Sequence, residues 1–526
     1  MATMTALNKA LIAIPKRAEM RQAEELRATF VDSGIAEAMS TIDHQILYGR
    51  RGTGKTHALR FIEGLAAARG DIAVYVDLRT VGSPDGLFGV NDLRLTERTG
   101  RLLRDLLNQV YDNVISIVIE DDRLISNKAL INALDALLSA ASKVEVRGVV
   151  EVEEAEAERS TTRRGAAVKG SISGTGPRLG GSLNRGKSTE TEERGRTTRT
   201  GQEEVALNFT DVAKALRDVA EALGANRVWL ILDEWVSVPT AIQPYLAEFL
   251  LRCVLPLQQF TVKIATIEQQ SEFDVLDASN GARIGFEVGA DIMASVDLDD
   301  FMVFEQANER AREFFLGLFF KHLTSGIEGV EPVDGLKAPI DLIRVGFSDT
   351  RAFDELVRAA EGVPRDAINI AGKAAMKASD GNVTVPHVRQ AARAWYQQDK
   401  EAALRSRPQA DALLSWIIDV VVRGKRARAF LVNRRDSRSE LIMSLYEARL
   451  LHLIRRGYSA QDEPGERFNV FSIDYGAYVD LISTKYEPQG VLAAEGDSFV
   501  DVPTQDLRAI RRSIVDLDAF AATLEE

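Results

Sequence analysis

The stretch Tyr48–His57, YGRRGTGKTH, constrains the fold of this 526-residue chain more than any other part of the sequence. It matches the pattern G-x-x-x-x-G-K-[ST], with Gly49, Gly54, Lys55 and Thr56 at the defined positions. Such a loop cradles phosphates when it follows a strand and opens a helix. The preceding QILY is typical of a short strand, and THALRFIEGLAAARG places apolar residues at helical spacing before a terminal glycine.

A loop in this context predicts a nucleotide site. Glycines let backbone N–H groups curl around phosphate oxygens, and the helix N-terminus adds partial positive charge. We expect Lys55 to reach the β- and γ-phosphates of ATP and the Thr56 hydroxyl to ligate Mg²⁺. The predicted cofactor-binding residues are Gly49, Arg50, Arg51, Gly52, Thr53, Gly54, Lys55, Thr56 and His57. The alternative is a glycine-rich turn that contains a lysine by chance.

A second stretch, RVWLILDEW, is a continuous apolar strand that ends in Asp233 and Glu234. Carboxylates are expensive to bury, so they rarely end such a strand without a reason. In a P-loop enzyme Asp233 would hold Mg²⁺, directly or through water. Glu234 would orient and deprotonate the attacking water. The alternative is an ordinary pair of carboxylates at a strand end.

Two further positions are predicted to approach the same site. The strand VKIATIEQQ should lie beside both motifs in the sheet, and Thr266, with Gln269 behind it, could touch the γ-phosphate or the water. Arg365 follows Pro364 at a helix start, where proline is favoured, and could reach over the nucleotide. An ordinary strand end and a solvated arginine are the respective alternatives.

Strands alternate with helices through the first half of the chain, which predicts an α/β fold with a parallel sheet. Residues 143–205 interrupt this pattern, since they are rich in Gly, Ser, Thr and charge and too poor in apolar residues to offset ordering entropy. We interpret them as a disordered insertion or a long mobile hairpin. The predicted units are 1–40 (N-terminal helices), 41–299 (core with the insertion), 300–403 (helical domain), 404–490 (C-terminal domain) and 491–526 (tail).

The C-terminal domain is locally basic although the whole chain has a formal net charge of -13. Residues 404–457 hold twelve Lys or Arg and five Asp or Glu, a surplus expected of a phosphate-binding face. DSRSELIMSLYEARLLHLIRRG predicts a recognition helix, and YSAQDEPGERFNVFSIDYG predicts a wing hairpin turning at Pro464-Gly465. The predicted DNA-binding residues are Arg434, Arg435, Arg438 and Arg449. The alternative is a protein-interaction module, because Asp462, Glu463 and Glu466 on the wing would repel phosphate.

Composition restricts the class of protein. Cys253 is the only cysteine, so neither an intrachain disulfide nor a cysteine-based zinc site is expected, and a reducing cytoplasm is the predicted compartment. Charged residues interrupt the first thirty positions, which argues against a secretory signal. No uncharged apolar run reaches the ~20 residues of a membrane-spanning helix.

These motifs together resemble the initiator clade of AAA+ ATPases, the origin-recognition (Orc/Cdc6-like) family, in a bacterial branch. The likeness covers most of residues 20–485, with GRRGTGKT as Walker A, LILDEW as Walker B, GVPRD as the sensor-2 motif and a C-terminal winged helix. The resemblance implies an AAA+ P-loop core, a helical lid and a winged helix. It also implies ATP and Mg²⁺ as cofactors, Thr266 as sensor 1 and Arg365 as sensor 2.

The same resemblance implies binding of double-stranded DNA and side-by-side assembly of identical subunits. An arginine finger would then act across the subunit boundary, and Arg283 in NGARIGFEV lies in the expected region after sensor 1. Two features depart from the family pattern. The P-loop usually carries two prolines where Arg50 and Arg51 stand, and residues 143–205 are an addition to the usual plan.

The predicted function is an ATP-hydrolysing switch that couples nucleotide state to DNA binding and self-assembly. Chains of this layout also resemble transposition regulators and phage-defence NTPases. The alternative is therefore a signalling or defence NTPase whose insertion and winged helix bind a protein partner or a membrane. Arg50 and Arg51 are expected to make structural or intersubunit contacts, because Lys55 already occupies the phosphate role.

Overall fold

The structure, a computed structural model, describes residues 4–18, 21–82, 95–142, 208–224, 227–277, 281–301, 308–425, 427–459, 466–482 and 513–525, and the backbone of five short strands between 144 and 205. Its strands are β1 (Gln45–Tyr48), β2 (Ile72–Asp77), β3 (Val144–Arg147), β4 (Val152–Glu153), β5 (Gly170–Ile172), β6 (Arg196–Thr197), β7 (Gln202–Val205), β8 (Val228–Asp233), β9 (Phe260–Thr266), β10 (Asp274–Leu276), β11 (Arg283–Gly285), β12 (Met293–Asp297), β13 (Ala429–Asn433), β14 (Leu451–Tyr458), β15 (Phe468–Ile473) and β16 (Ile514–Val515). Its α-helices are α1 (Ala6–Ala13), α2 (Ala23–Thr29), α3 (Ile35–Met39), α4 (Lys55–Ala68), α5 (Leu95–Glu120), α6 (Asp122–Ile125), α7 (Lys128–Ala141), α8 (Phe209–Ala222), α9 (Gln243–Cys253), α10 (Leu298–Phe301), α11 (Asn308–Thr324), α12 (Asp341–Gly346), α13 (Thr350–Ala360), α14 (Pro364–Ala378), α15 (Val385–Trp395), α16 (Pro408–Ile417), α17 (Glu440–Glu447), α18 (Tyr475–Ile482) and α19 (Leu517–Glu525).

The central sheet has five parallel strands in the order β12-β1-β9-β8-β2. The carboxyl ends of parallel strands share one edge, where ligands of open α/β sheets bind. The loop after β1, the carboxylates at the end of β8 and the end of β9 therefore meet at this edge. The predicted α/β fold with a parallel sheet is confirmed.

Helices cover both faces of the sheet, as the continuous apolar strands require. One face packs against α5, α7, α8 and α9 through a large cluster that includes Leu106, Leu134 and Leu246. The other face packs against α3 and α4 through a smaller cluster that includes Leu59 and Ile231. Because alternate strand residues point to opposite faces, both clusters draw on the same strands.

The insertion forms paired strands where its backbone is described. Strand β3 lies antiparallel to both β5 and β7, and β4 lies antiparallel to β6. The alternating stretch KVEVRGVVEVEE supplies β3 and β4. The rest of the predicted insertion lies outside the described residues.

The described part of residues 308–404 is helical and has a core of its own. Leu7 and Leu11 of α1, with Ile14 just after it, belong to this core, and α1 packs against α14. Helices α2 and α3 pack against α4 instead, so the N-terminal helices share the cores of two other regions. Within the described residues, none of the helices has the length and apolar character that crossing a bilayer requires.

The C-terminal region begins with α16 and continues through β13, α17 and the antiparallel pair β14–β15. Its sheet has the order β14-β15-β13-β16. The predicted recognition helix over residues 436–457 is wrong in its second half. The helix ends at Glu447, Arg449 takes a left-handed backbone (φ 61°), and Leu451–Tyr458 is a strand. The predicted hairpin turn at Pro464-Gly465 lies outside the described residues.

Apolar spacing explains this error. Leu450, Leu451, Leu453 and Ile454 fit one face of a helix, and they also suit a strand buried in a sheet. Pairing with β15 decides the outcome, since Leu451 lies opposite Ile473 and Leu453 lies opposite Phe471. Long-range strand pairing therefore overrides the local helical pattern.

Candidate nucleotide-binding site

The loop between β1 and α4 has the backbone of a phosphate cradle. Gly52 and Gly54 have φ angles of 89° and 103°, the left-handed region that favours glycine. A Cβ on Gly49 would lie 2.6 Å from the Thr53 hydroxyl oxygen, and that hydroxyl donates to the Arg50 carbonyl at 2.8 Å. Steric contact at Gly49 and the left-handed backbone at Gly52 and Gly54 thus favour glycine at three positions of the loop, which supports the cradle over a chance turn.

Lys55 lies at the centre of this loop and is buried. Its Nζ donates to the carbonyl oxygens of Gly49 at 2.8 Å and Arg50 at 3.1 Å. Burial lowers the pKa of Lys55, while the nearby Glu234 and Asp233 carboxylates oppose that shift. Thr56 follows it in the first turn of α4 and lines the same cavity.

Asp233 and Glu234 end β8 with different environments. Asp233 is fully buried, and its Oδ2 accepts from the Tyr75 hydroxyl at 2.6 Å while its Oδ1 accepts from the Glu234 N–H at 2.8 Å. Glu234 has a left-handed backbone (φ 57°), which turns its side chain into the cavity. Burial, and then the Asp233 charge, raise the pKa of Glu234, whereas Lys55 lowers it. A partly buried carboxyl with a raised pKa is suited to proton transfer.

A cavity of about 330 Å³ opens over this loop and extends to the N-terminal segment and the helical region. Its lining holds seven Lys or Arg side chains and one Glu, which suits a polyphosphate. The lining residues are Pro15, Lys16, Arg17, Ala18, Arg21, Leu26, Arg51, Gly52, Gly54, Lys55, Thr56, His57, Arg79, Glu234, Ser237, His322, Pro364, Arg365 and Ile368.

The helical region reaches this cavity through Arg365. Its N–H donates to the Gly52 carbonyl at 3.2 Å, and a Cβ on Gly52 would lie 2.9 Å from the Arg365 Cβ. The start of α14 is therefore packed directly on the P-loop. This placement brings the predicted sensor-2 residue together with Lys55, Thr56 and Glu234.

Thr266 lies at the predicted strand end but faces away from the cavity lining. The Gly49 N–H donates to its carbonyl at 3.2 Å, and its buried hydroxyl bonds to the Ser271 hydroxyl. Gln269 is exposed and lies in a separate cleft. Arg283 is exposed on β11, where it pairs with Asp274 at 3.2 Å and with Glu287, away from the cavity.

His57 lines the cavity, but its ring makes structural contacts. Its ring nitrogen contacts the Leu26 carbonyl and lies 3.3 Å from the Thr29 hydroxyl, so it joins α4 to α2. Burial lowers the pKa of His57 to about 4. A neutral imidazole committed to α2 is poorly suited to bind phosphate, although it lines the site.

The two arginines of the P-loop have different positions. Arg50 is 4% exposed, and its side chain turns away from the cavity. Its Nε donates to Asp299 Oδ1 at 2.7 Å, its Nη1 donates to the Leu451 carbonyl at 3.1 Å, and its guanidinium lies 4.4 Å from the centre of the Tyr446 ring. Arg51 is exposed and lines the cavity. The expected structural contact holds for Arg50, which does not serve the cradle through its side chain.

The predicted DNA-binding arginines also divide into two groups. Arg434, Arg435 and Arg438 are exposed between β13 and α17, and they have no ion-pair partner among the described residues. Arg449 is buried, with Nη1 2.6 Å from Asp366 Oδ1 and a second pair to Asp399. Its guanidinium is therefore committed to the helical region, and the prediction that Arg449 contacts DNA does not fit this placement.

Sequence reasoning missed three contributors to the site. Residues 15–18 and Arg21 line one end of the cavity, and Arg79, paired with Asp77 at 2.5 Å, lines it just after β2. Tyr75 bonds to Asp233 across the sheet. Tyr75 could be recognised as a partner of Asp233 from the strand order, because β2 lies next to β8. That order is known only from the folded chain.

The loop, its helix and the sheet order together define an α/β fold of the P-loop nucleoside triphosphatase class. Comparison with known proteins adds little to this assignment. No protein-family model matches the sequence, and no curated protein matches it either. Among solved structures, the chain is similar to a Walker-type ATPase of Pyrococcus abyssi, with 12% sequence identity over 89% of this chain and 99% of that chain and a TM-score of 0.36.

Proposed function

We propose that the chain is an ATP- and Mg²⁺-dependent ATPase of the AAA+ initiator type, which couples nucleotide state to DNA binding and self-assembly. The observation that carries the nucleotide chemistry is one cavity that holds Lys55, Thr56 and Glu234, beside the buried Asp233. The residues fit the cofactor, because a glycine cradle and seven cationic side chains suit a triphosphate. Thr56 and Asp233 supply oxygen ligands of the kind that Mg²⁺ prefers.

The proposed reaction is in-line attack of water on the γ-phosphorus of ATP. The bond from phosphorus to the β–γ bridging oxygen breaks, and ADP and phosphate leave. Glu234 accepts the proton of the attacking water, while Lys55 and Arg365 stabilise charge on the phosphate oxygens. Mg²⁺, held through Thr56 and Asp233, would neutralise charge on the β- and γ-phosphates.

Two substitutions test this chemistry. Lys55→Ala should lose most nucleotide affinity, because it removes the central cation of the cradle. Glu234→Gln should keep ATP bound and lower turnover by about 10²–10⁴-fold, the usual contribution of a general base. Nucleotide binding and phosphate release should be measured on the full chain. Wild-type turnover in Glu234→Gln would show that the base is another group.

The DNA-binding part of the proposal is supported by the position of the exposed arginines. Arg434 and Arg438 line a cleft of about 560 Å³ between the C-terminal sheet and the loop 268–272 that follows β9. Ser271, which bonds to Thr266, lines the same cleft. A phosphate backbone bound there would lie next to the loop that follows Thr266, the predicted sensor 1, which is a route for coupling.

A salt titration tests DNA binding. Neutralising Arg434 and Arg435 together should weaken binding of duplex DNA and reduce the slope of log affinity against log salt by about 2, one unit per lost phosphate contact. The charge-matched control is the double substitution of Arg123 and Arg344, which are 90% and 74% exposed outside the C-terminal region. Equal slopes in both doubles would contradict a DNA face at this position. Size measurement with and without ATP tests self-assembly.

A signalling or phage-defence NTPase that binds protein or membrane is the second candidate. The observation that favours it is the reduced basic surplus of the C-terminal domain, because Arg428 and Arg449 are buried in ion pairs. Glu466 also adds negative charge at the start of the hairpin's second strand. Recovery of a protein partner without nucleic acid would support this function, and deletion of 145–203 should then abolish it while sparing ATP hydrolysis.

A further inference from the structure

Tyr75 makes a hydrogen bond that neither the motif nor its packing requires. It lies on β2, opposite Ile231 of β8, and the residue is 9% exposed in the cluster beneath α4. From there its hydroxyl reaches two residues along the neighbouring strand and donates to Asp233 Oδ2 at 2.6 Å. The ring alone would fill the cluster, so the hydroxyl has a separate role.

The Tyr75 ring is held from above by the P-loop helix. The Arg60 guanidinium carbon lies 3.3 Å from the ring centre, a cation–π distance. Arg60 is itself fixed by Glu63, with Nη1 at 3.0 and 3.2 Å from the two carboxylate oxygens. Arg60 lies one turn after Thr56 on α4. The ring therefore lies between the strand that carries Asp233 and the helix that carries Thr56.

Both oxygens of Asp233 consequently have a fixed donor. Oδ1 accepts from the Glu234 N–H at 2.8 Å and Oδ2 accepts from Tyr75. Two donors on opposite oxygens fix the plane of the carboxylate, while each oxygen retains a second acceptor site. Hydrogen-bond partners of this kind orient ligating carboxylates, and their loss lowers metal affinity by 10–100-fold in metalloproteins generally.

We propose that Tyr75 is a positioning residue, whose hydroxyl orients the Asp233 carboxylate for Mg²⁺ in the nucleotide complex. The proposal rests on the proposed function, in which Asp233 serves Mg²⁺. Arg60 supports this role by limiting movement of the ring. A purely structural tyrosine would make the same packing contacts but would leave the Mg²⁺ dependence of nucleotide binding unchanged when its hydroxyl is removed.

The experiment measures binding of a fluorescent ADP analogue to the full chain as Mg²⁺ is increased from an EDTA baseline. Tyr75→Phe keeps the ring and removes the hydroxyl, so the Mg²⁺ midpoint should rise by about 10-fold or more. Affinity in EDTA should stay at the wild-type value, which also shows that the variant is folded. Tyr111→Phe, a half-buried tyrosine on α5, is the matched control and should leave the midpoint unchanged.

A second variant tests the proposal even if Tyr75→Phe does not fold. Arg60→Gln keeps the hydroxyl and frees the ring, and it should raise the Mg²⁺ midpoint by a smaller factor. In an Asp233→Asn background Tyr75→Phe should cause no additional shift, because the carboxylate that it orients is absent. Wild-type midpoints in the folded Tyr75 and Arg60 variants would overturn the proposal. If the affinity of the wild-type chain for the ADP analogue did not depend on Mg²⁺, that result would overturn the proposed function instead.

Discussion

Among single residues, Gly52 joins the P-loop to the helical region. Its carbonyl accepts from the Arg365 N–H, its φ of 89° suits glycine, and an added Cβ would meet the Arg365 Cβ at 2.9 Å. The residue therefore meets two separate constraints, one from its own backbone and one from a neighbour. The motif pattern leaves this position open, so only the folded chain explains the glycine.

Gly52→Ala should lower both stability and nucleotide affinity. The left-handed backbone alone should cost about 1–2 kcal/mol in free energy of unfolding. The clash should also push α14 away from the loop and weaken nucleotide binding. Gly224→Ala is the control, since Gly224 has a φ of 90° and nothing within 4 Å of an added Cβ. The midpoint temperature of thermal unfolding should fall in both variants, whereas nucleotide affinity should fall only in Gly52→Ala. Equal nucleotide affinities in the two variants would show that the contact between Gly52 and Arg365 does not affect binding.

At the scale of elements, each motif of the candidate nucleotide site is local in sequence. The spacing in GRRGTGKT and the end of LILDEW place Lys55, Thr56 and Glu234 on one cavity once the strands are parallel. The helix after the loop ends beside Gly70, whose φ is 83°, as its spacing predicts. The strand, loop and helix of each motif depend on neighbours in sequence, whereas bringing the two motifs together depends on the pairing of β1, β9 and β8.

Elements that depend on distant contacts could not be predicted in the same way. Residues 449–457 continue an apolar pattern that fits a helix, but β15 recruits them as a strand. Arg449 belongs to a basic run, yet Asp366, 83 residues earlier, buries it. Local charge counts cannot distinguish a surface arginine from one that pairs with a carboxylate on another element.

Two histidines between α2, α4 and α11 predict acid sensitivity. Burial, assisted by the Arg21 charge, lowers the pKa of His57 to about 4 and that of His322 to about 3. Lys321 also opposes protonation of His57, whereas the Leu26 and Leu318 carbonyls favour the charged rings. The unfolded chain binds protons near pH 6.5 while the folded chain does not, so stability falls as pH drops below 6.5.

The expected loss is about 2 kcal/mol for each histidine at pH 5 relative to neutral pH. Urea unfolding of the full chain at pH 7.5 and pH 5 measures it. His322→Gln removes one of these titrations and should reduce the difference in unfolding free energy between the two pH values, whatever its effect on stability at pH 7.5. An unchanged difference would show that His322 is not buried in its neutral form.

Across the whole molecule, the C-terminal region is tied to both other parts by charged contacts. Arg449 pairs with Asp366 of α14, and the buried Lys400 lies 2.9 Å from Asp366 and 2.5 Å from Asp474. Arg456 of β14 reaches Asp297 at the end of β12, at 2.7 Å. These contacts meet near the P-loop, because Asp366 follows the arginine that packs on Gly52. The arrangement is suited to transmit a change at the nucleotide site.

Arg50 is the most direct of these links, because it belongs to the P-loop itself. Burial opposes the charge of Arg50, but Asp299 and Tyr446 outweigh that effect and raise its pKa. Its carbonyl also accepts from Lys55 at 3.1 Å, so the cradle and the C-terminal contact share one residue. A proline at this position would have no side chain that could reach the Leu451 carbonyl or Asp299.

Arg50→Ala should therefore loosen the C-terminal region while leaving the cradle glycines in place. Asp299, whose side chain is 7% exposed, would lose its partner, and breaking a buried pair costs about 3–5 kcal/mol. Hydrogen exchange of the β14 amides should accelerate, and thermal unfolding should begin at lower temperature. Arg51→Ala, at the exposed neighbouring position, is the matched control and should change neither measurement. Wild-type exchange in β14 of Arg50→Ala would mean that the remaining contacts, with α14 and β12, hold the C-terminal region in place.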